Sequence, residues 1–395
     1  MKILKLGFLF FTLMASLTVT ANEPLNFGEK ASIESNVLGE TRPLWIYTPD
    51  KLEDNKRYNV VYLLDAGEHY FTVAGVLKSL IDNEQIPNLM LVGVETTNRP
   101  RDYFPSLNGE ATTIPQQFIA DKHIETNADN FVQFLKMELF PYIEKKYKTY
   151  PNKTLIGHSN AGTFALHAFY NYPDLFNNYL IVSPNAWWTP EQINQNLSNV
   201  AKQPRNNESL YITIASEGGH FYSGVMNLAA QLEAVQPKGV NWQIKQYPTR
   251  THMSAILPAV TEGMEALFKD MYFNVTPELA KYSGVNAVLD YYKELSKKMG
   301  YTIAVPMDTF VELAEKQIEY ARKEQAISTL QVFTKHYSDH AYSHMKLAQG
   351  YESLKNYQLA LGSYEKALEI ATQQKREPMI LDALQDMVNA TKTKL

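Results

Sequence analysis

Apolar residues follow three rhythms along this chain, and each predicts a different kind of element. From residue 22 to about 272, short and nearly continuous apolar runs recur, as at Tyr58–Leu64, Leu89–Val94, 154–156, 179–182, 210–214 and 242–247. Runs of that length without polar alternation predict parallel strands buried on both faces. Residues 30–33 and 43–47 predict an antiparallel pair that opens the sheet. Between the runs the period lengthens. Phe131, Phe134, Leu135, Leu139, Tyr142 and Ile143 recur at helical spacing and predict one amphipathic helix over 131–147. Further helices are predicted around 191–200, 225–235 and 255–268. Strands alternating with helices predict an α/β fold, a mostly parallel sheet covered on both faces. In such sheets ligands bind at the carboxyl ends of the strands.

After residue 272 the strand signal stops and a third rhythm begins. Residues 273–306 are a transition with one predicted helix near 285–298. From 307 to 395 the pattern is wholly helical, with a repeat. Phe310, Leu313, Ala314, Ala326, Leu330 and Phe333 return 34 positions later as His344, Leu347, Ala348, Ala360, Tyr364 and Ala367. That period, with small residues where two helices must approach, resembles a tetratricopeptide repeat. A last helix near 378–391 would cap the stack.

Composition narrows the function classes. The chain has 395 residues, 45% hydrophobic and 20% charged, which predicts a folded globular protein of one large and one small domain. Lys2 and Lys5, the apolar stretch 6–18 and the small residues Val19-Thr20-Ala21 predict a signal peptide over 1–21, so 22–272 would be the mature chain's α/β domain in a periplasmic or secreted protein. No other segment is long and apolar enough to span a bilayer, so no membrane association is expected after cleavage. The absence of cysteine excludes thiol catalysis, thiolate metal sites and disulfides. The net charge of −5 becomes −7 without Lys2 and Lys5, which argues against nucleic acid as a partner.

The chemistry centres on Gly157-His158-Ser159-Asn160-Ala161-Gly162. It lies between a strand and a helix-like stretch. A serine at the apex of such a turn is the nucleophile elbow of α/β-hydrolases, and the tight turn requires small neighbours. A hydroxyl needs a base, which these folds supply in the order serine, acid, histidine. His252, on the loop after the run ending at Tyr247, is the predicted base, with His220 as competitor. Glu217, in Ser216-Glu217-Gly218-Gly219-His220 after the preceding strand, is the predicted acid, with Glu208 and Glu233 less well placed. The backbone amides of Asn160 and Gly67 are the predicted oxyanion donors, with Ala66 or Glu68 as one-residue alternatives to Gly67. His158 is expected to point away from the elbow.

Three clusters line the same strand ends: 98–103, 183–188 and 68–71. Arg99, Arg101, Trp187 and Trp188 are candidate contacts for an anionic or aromatic acyl ester, unless Arg101 and Asp102 simply pair with their neighbours. No H-E-x-x-H, no phosphate loop and no clustered metal-ligand spacing occurs, so neither metal nor cofactor is expected.

The ordered motifs Val61-Tyr62-Leu63-Leu64-Asp65, Arg99-Pro100-Arg101-Asp102-Tyr103-Phe104-Pro105, Glu138-Leu139-Phe140-Pro141-Tyr142-Ile143-Glu144, Gly157-His158-Ser159 and Ser183-Pro184-Asn185-Ala186-Trp187-Trp188 resemble the putative-esterase family of α/β-hydrolases, near the siderophore (enterochelin-type) esterases and esterase D-like enzymes. The likeness covers residues 29–268. It implies serine ester hydrolysis by Ser159, His252 and Glu217. Ala161 stands where the family usually has glycine, Asn185 where it often has serine, and the expected glycine near Thr126-Asn127-Ala128 is missing. Siderophore-type esters and feruloyl or other acyl-carbohydrate esters both suit the clusters. A different class of function is an adaptor that binds protein partners, or a second copy of the chain, through the helical tail.

Overall fold

The computed structural model describes residues 27–48, 57–83, 85–106, 114–186, 190–205 and 207–395. The predicted signal segment, Trp187 and Trp188 lie outside the described residues. The sheet strands are β1 (Glu29–Ser35), β2 (Glu40–Tyr47), β3 (Tyr58–Leu64), β4 (Leu89–Val94), β5 (Thr149–His158), β6 (Asn178–Val182), β7 (Glu208–Ile214) and β8 (Val240–Gln246). They form one eight-stranded sheet in the order β1-β2-β4-β3-β5-β6-β7-β8. β2 pairs antiparallel with both β1 and β4, and every other pairing is parallel. β3, β4 and β6 are buried at every position, as expected for strands covered on both sides. The α/β fold read from the apolar runs is the fold observed.

The helices of this part are α1 (Ala66–Asp82), α2 (Arg99–Tyr103), α3 (Ile114–Asp121), α4 (Ala128–Phe134), α5 (Phe140–Lys146), α6 (Asn160–Asn171), α7 (Pro190–Lys202), α8 (Gly219–Val235) and α9 (Ile256–Phe268). α1 and α9 share one apolar layer with one sheet face, including Val73, Leu77, Ala259 and Met264. The opposite layer holds Phe131, Phe164, Phe169, Leu197 and Leu228. The single helix predicted over 131–147 is divided by a π-helical turn at Leu135–Leu139. Pro141 explains the break: it has no N–H to give to the preceding turn, and its ring crowds the carbonyl it would have met. α4 begins at Asn127, whose side chain accepts from the Asn130 N–H, with φ −160°. An extended φ needs no glycine, which is why the family's glycine can be absent there.

The rest of the chain is helical: α10 (Pro277–Tyr282), α11 (Val285–Met299), α12 (Met307–Glu319), α13 (Lys323–His336), α14 (Ala341–Ser353), α15 (Tyr357–Gln373) and α16 (Pro378–Lys392). α12 packs on α13, α13 on α14, α14 on α15 and α15 on α16. Of the positions that repeat at 34 residues, all are buried except the half-buried His344. A Cβ on Gly350 would stand 2.7 Å from the Leu330 side chain, so α14 approaches α13 closely there. α11 and the segment after it dock on the sheet's amino-terminal end. The Tyr301 ring stacks on Tyr150 at 3.8 Å, and its hydroxyl bonds with the Asn59 side chain at 2.8 Å. Among the described residues no helix is long and apolar enough to cross a membrane.

Candidate active site

Ser159 sits at the carboxyl end of β5 with φ 59° and ψ −119°, directly before α6. A non-glycine residue held there costs roughly 1–3 kcal/mol, so its surroundings must impose the conformation. They do. The Ser159 N–H donates to the Val182 carbonyl at 3.0 Å, and its own carbonyl accepts from Thr163 at 3.2 Å and from Asn185 at 3.2 Å. The small residues the turn requires are Gly157 and Gly162. A Cβ on Gly157 would lie 2.5 Å from the Ala161 carbonyl oxygen, and one on Gly162 would lie 2.9 Å from Pro184. Ala161 is fully buried in the core, so its methyl occupies space that the family's glycine would leave empty. Asn185 also braces the elbow with its side chain, donating to the Asn160 Oδ1 at 3.3 Å.

The loops that carry Glu217 and His252 are joined by backbone hydrogen bonds. The Ser216 N–H donates to the Arg250 carbonyl at 2.8 Å and the Tyr247 N–H to the Ile214 carbonyl at 2.8 Å. Gly219, at φ 61°, lets the loop after Glu217 turn sharply into α8. The result is a 2.6 Å contact between the His252 Nδ1 and the Glu217 Oε1. A carboxylate can only accept, so Nδ1 carries the proton and Nε2 keeps a free lone pair. The competitor His220 lies exposed in the first turn of α8. Glu208 is buried at the other end of β7 in an ion pair with Arg205 at 2.9 Å, and Glu233 is exposed late in α8. Among the described residues no hydrogen bond joins the Ser159 hydroxyl to His252, a contact that commonly tightens only with substrate bound.

Two helix amino termini face this end of the sheet, those of α6 after β5 and of α1 after the neighbouring β3. Asn160 is the first residue of α6, so its amide has no partner within the helix. Ala66 and Gly67 are the first two residues of α1, whereas the Glu68 amide is already bonded to the Asp65 carbonyl at 3.0 Å. The Glu68 amide is therefore already engaged, whereas Gly67 lies exposed at the turn. Asp65 holds that turn at φ 54°. Its carboxylate takes the Arg99 guanidinium at 2.9 Å and the Tyr103 hydroxyl at 3.1 Å. Arg101 is committed to Glu40 at 2.9 Å and to Asp102 at 2.8 Å, and Asp102 also pairs with the fully buried Arg42 at 2.8 Å. The 99–103 segment thus braces the β3–α1 turn, and Arg101 is not free to bind substrate. Arg99 keeps a side chain that is 37% exposed beside the site.

His158 departs from expectation. Its ring does not turn away but lies against His252, with centroids 4.4 Å apart, and its Nε2 meets the His252 carbonyl at 3.1 Å. His69, from the second turn of α1, meets the His158 Nδ1 at 3.2 Å. Burial, then the nearby His252 and His69, pull His158 down to about 3, so it is neutral at ordinary pH. Burial lowers His69 too. His69, His158 and Asn185 were legible only as strand-end neighbours of the motif, without a role. Among the described residues no three His, Asp or Glu side chains are grouped to hold a metal ion.

The family model described as "Putative esterase" matches residues 35–252. A siderophore enterobactin esterase of Emericella nidulans is 27% identical over 157 residues, 35% of this chain and 50% of that protein. The chain thus spans about half the length of that curated relative. Among solved structures, an IroE-like serine hydrolase from Shewanella oneidensis has a TM-score of 0.64 at 27% identity, covering 78% of this chain and 98% of that one. An uncharacterised protein from Capnocytophaga ochracea has a TM-score of 0.68 at 17% identity, covering 92% and 99%, a likeness of fold alone. With its motifs in order on an α/β-hydrolase sheet, and the match extending over more than half its length, this chain belongs to the putative-esterase family.

Proposed function

We propose that the chain is an exported serine esterase that hydrolyses carboxylic esters through an acyl-enzyme. The observation that carries this reading is the 2.6 Å contact between His252 and Glu217 at the same sheet end as the strained Ser159. The Ser159 Oγ attacks the ester carbonyl as the His252 Nε2 takes its proton. The Asn160 and Gly67 amides hold the oxyanion. The carbon–oxygen bond to the alcohol breaks, and the alcohol leaves with the proton from His252. Water, deprotonated by His252, attacks the acyl-enzyme, and the acid is released as Ser159 regains its proton. Glu217 holds the His252 tautomer and stabilises the imidazolium between these steps.

Siderophore-type esters are the proposed substrates, supported by the name of the Emericella relative and by the partly exposed Arg99, which would meet an anionic acyl group. Feruloyl or other acyl-carbohydrate esters are the alternative. The helical tail is proposed as a tetratricopeptide-like stack, supported by the burial of its 34-residue repeat positions.

The test is fluorophosphonate labelling and p-nitrophenyl ester hydrolysis by the mature protein beside its Ser159→Ala variant. Labelling and turnover lost only in the variant support the reading. No labelling of folded wild-type protein would overturn it and move the weight to the tail as an adaptor. A panel of siderophore and feruloyl esters then separates the substrate classes.

A further inference from the structure

Among the described residues, the strand-end motif contains two buried histidines that the reaction steps leave unused. His69 is 4% exposed and His158 is 3% exposed. We propose that they form a neutral hydrogen-bonded chain, His69 to His158 to the His252 carbonyl, that positions the general base. The inference rests on the serine-esterase reading and deepens it.

The direction of the chain follows from the acceptors. A carbonyl oxygen can only accept, so the His158 Nε2, 3.1 Å from the His252 carbonyl, carries a proton. In a neutral ring Nδ1 then accepts, so the His69 Nε2, 3.2 Å away, is the donor. A charged His158 would stand beside Arg99 and against the ring that itself becomes cationic during turnover, and burial disfavours that charge as well. The chain is anchored on two rigid elements, β5 through His158 and α1 through His69. It grips the His252 backbone while Glu217 grips the ring at 2.6 Å and Phe221 packs edge-on against it at 5.5 Å. His252 is therefore held at its backbone and at two places on its ring. With the backbone grip removed, the base would swing relative to Ser159, and small misplacements of a reacting group cost turnover far more than binding.

The experiment compares the mature full-length wild type with H158F and H158Q. Phenylalanine keeps a planar ring but no donor, whereas the glutamine Nε2–H reaches the place of the histidine Nε2–H. H158F is expected to lower kcat about 10- to 100-fold with KM little changed, and H158Q to recover most of the loss. H158F within twofold of wild type at unchanged Tm would overturn the inference while leaving the esterase reading intact. No turnover and no fluorophosphonate labelling by the wild type would overturn the esterase reading, and the inference with it. Long-range proton–nitrogen correlation on histidine-labelled wild type supplies a readout independent of the variants' folding. Nε2–H tautomers are expected at both His69 and His158, and an Nδ1–H or cationic His158 at neutral pH would overturn the inference.

Discussion

Glu217 bonds the His252 ring and His158 its backbone carbonyl, and each contact carries its own prediction. Glu217 fixes which nitrogen of His252 bears the proton, through a single 2.6 Å bond. Glu217→Gln should keep the fold but present an amide that no longer stabilises the imidazolium. Steady-state hydrolysis of a p-nitrophenyl ester should show kcat reduced about 10²- to 10⁴-fold at nearly constant Tm. His158 speaks to stability as well. It is pulled down to about 3 by burial, His252, His69 and, more weakly, Arg99, whereas an unfolded histidine titrates near 6.5. Below about 6.5 the unfolded chain binds a proton that the folded chain refuses, so stability falls with falling pH until about 3. Denaturant titrations across that range should show a smaller slope in H158Q than in the wild type. An unchanged slope would mean that His158 is protonated in the fold.

At the scale of elements, the β5–α6 elbow depends on two glycines and not on a third. Gly157 meets the Ala161 carbonyl and Gly162 meets Pro184, so neither has room for a methyl. Gly157→Ala must push the first turn of α6 away from β5. It should cost about 1–3 kcal/mol in chemical denaturation and lower kcat at least about tenfold. Ala161→Gly should leave kcat close to wild type while losing about 1 kcal/mol, since it removes a buried methyl from a helix. Equal effects of the two changes would refute this account of the elbow. The same scale explains the 99–103 motif, whose Asp102 pairs with Arg42 of β2 and whose Tyr103 and Arg99 hold Asp65. Its charges brace the β3–α1 turn that leads into Gly67.

At the scale of the whole molecule, the segment before the tail and the site lie at opposite ends of the sheet. Tyr301 stacks on Tyr150 and bonds Asn59, near the amino-terminal starts of β5 and β3, whereas Ser159 follows the carboxyl end of β5. Tyr301→Ala should therefore lower stability by about 1–3 kcal/mol and leave kcat within about twofold, as read by calorimetry beside hydrolysis. A collapse of turnover would tie this docking to catalysis despite that separation. The apolar runs, the 34-residue period and the order of Ser159, Glu217 and His252 were all legible in the chain, because periodicity and motif order are local or linear properties. Where the side chains of Arg101 and His158 would point was not legible. Arg101 turns to Glu40 of β2, 61 positions away, and His158 meets a carbonyl 94 positions away. By itself the sequence determined the α/β fold, most of its strands and the linear order of the candidate residues Ser159, Glu217 and His252. Only the tertiary structure decided which charges brace the turns and that His158 meets the His252 backbone, because partners distant in sequence become neighbours only once the sheet has assembled.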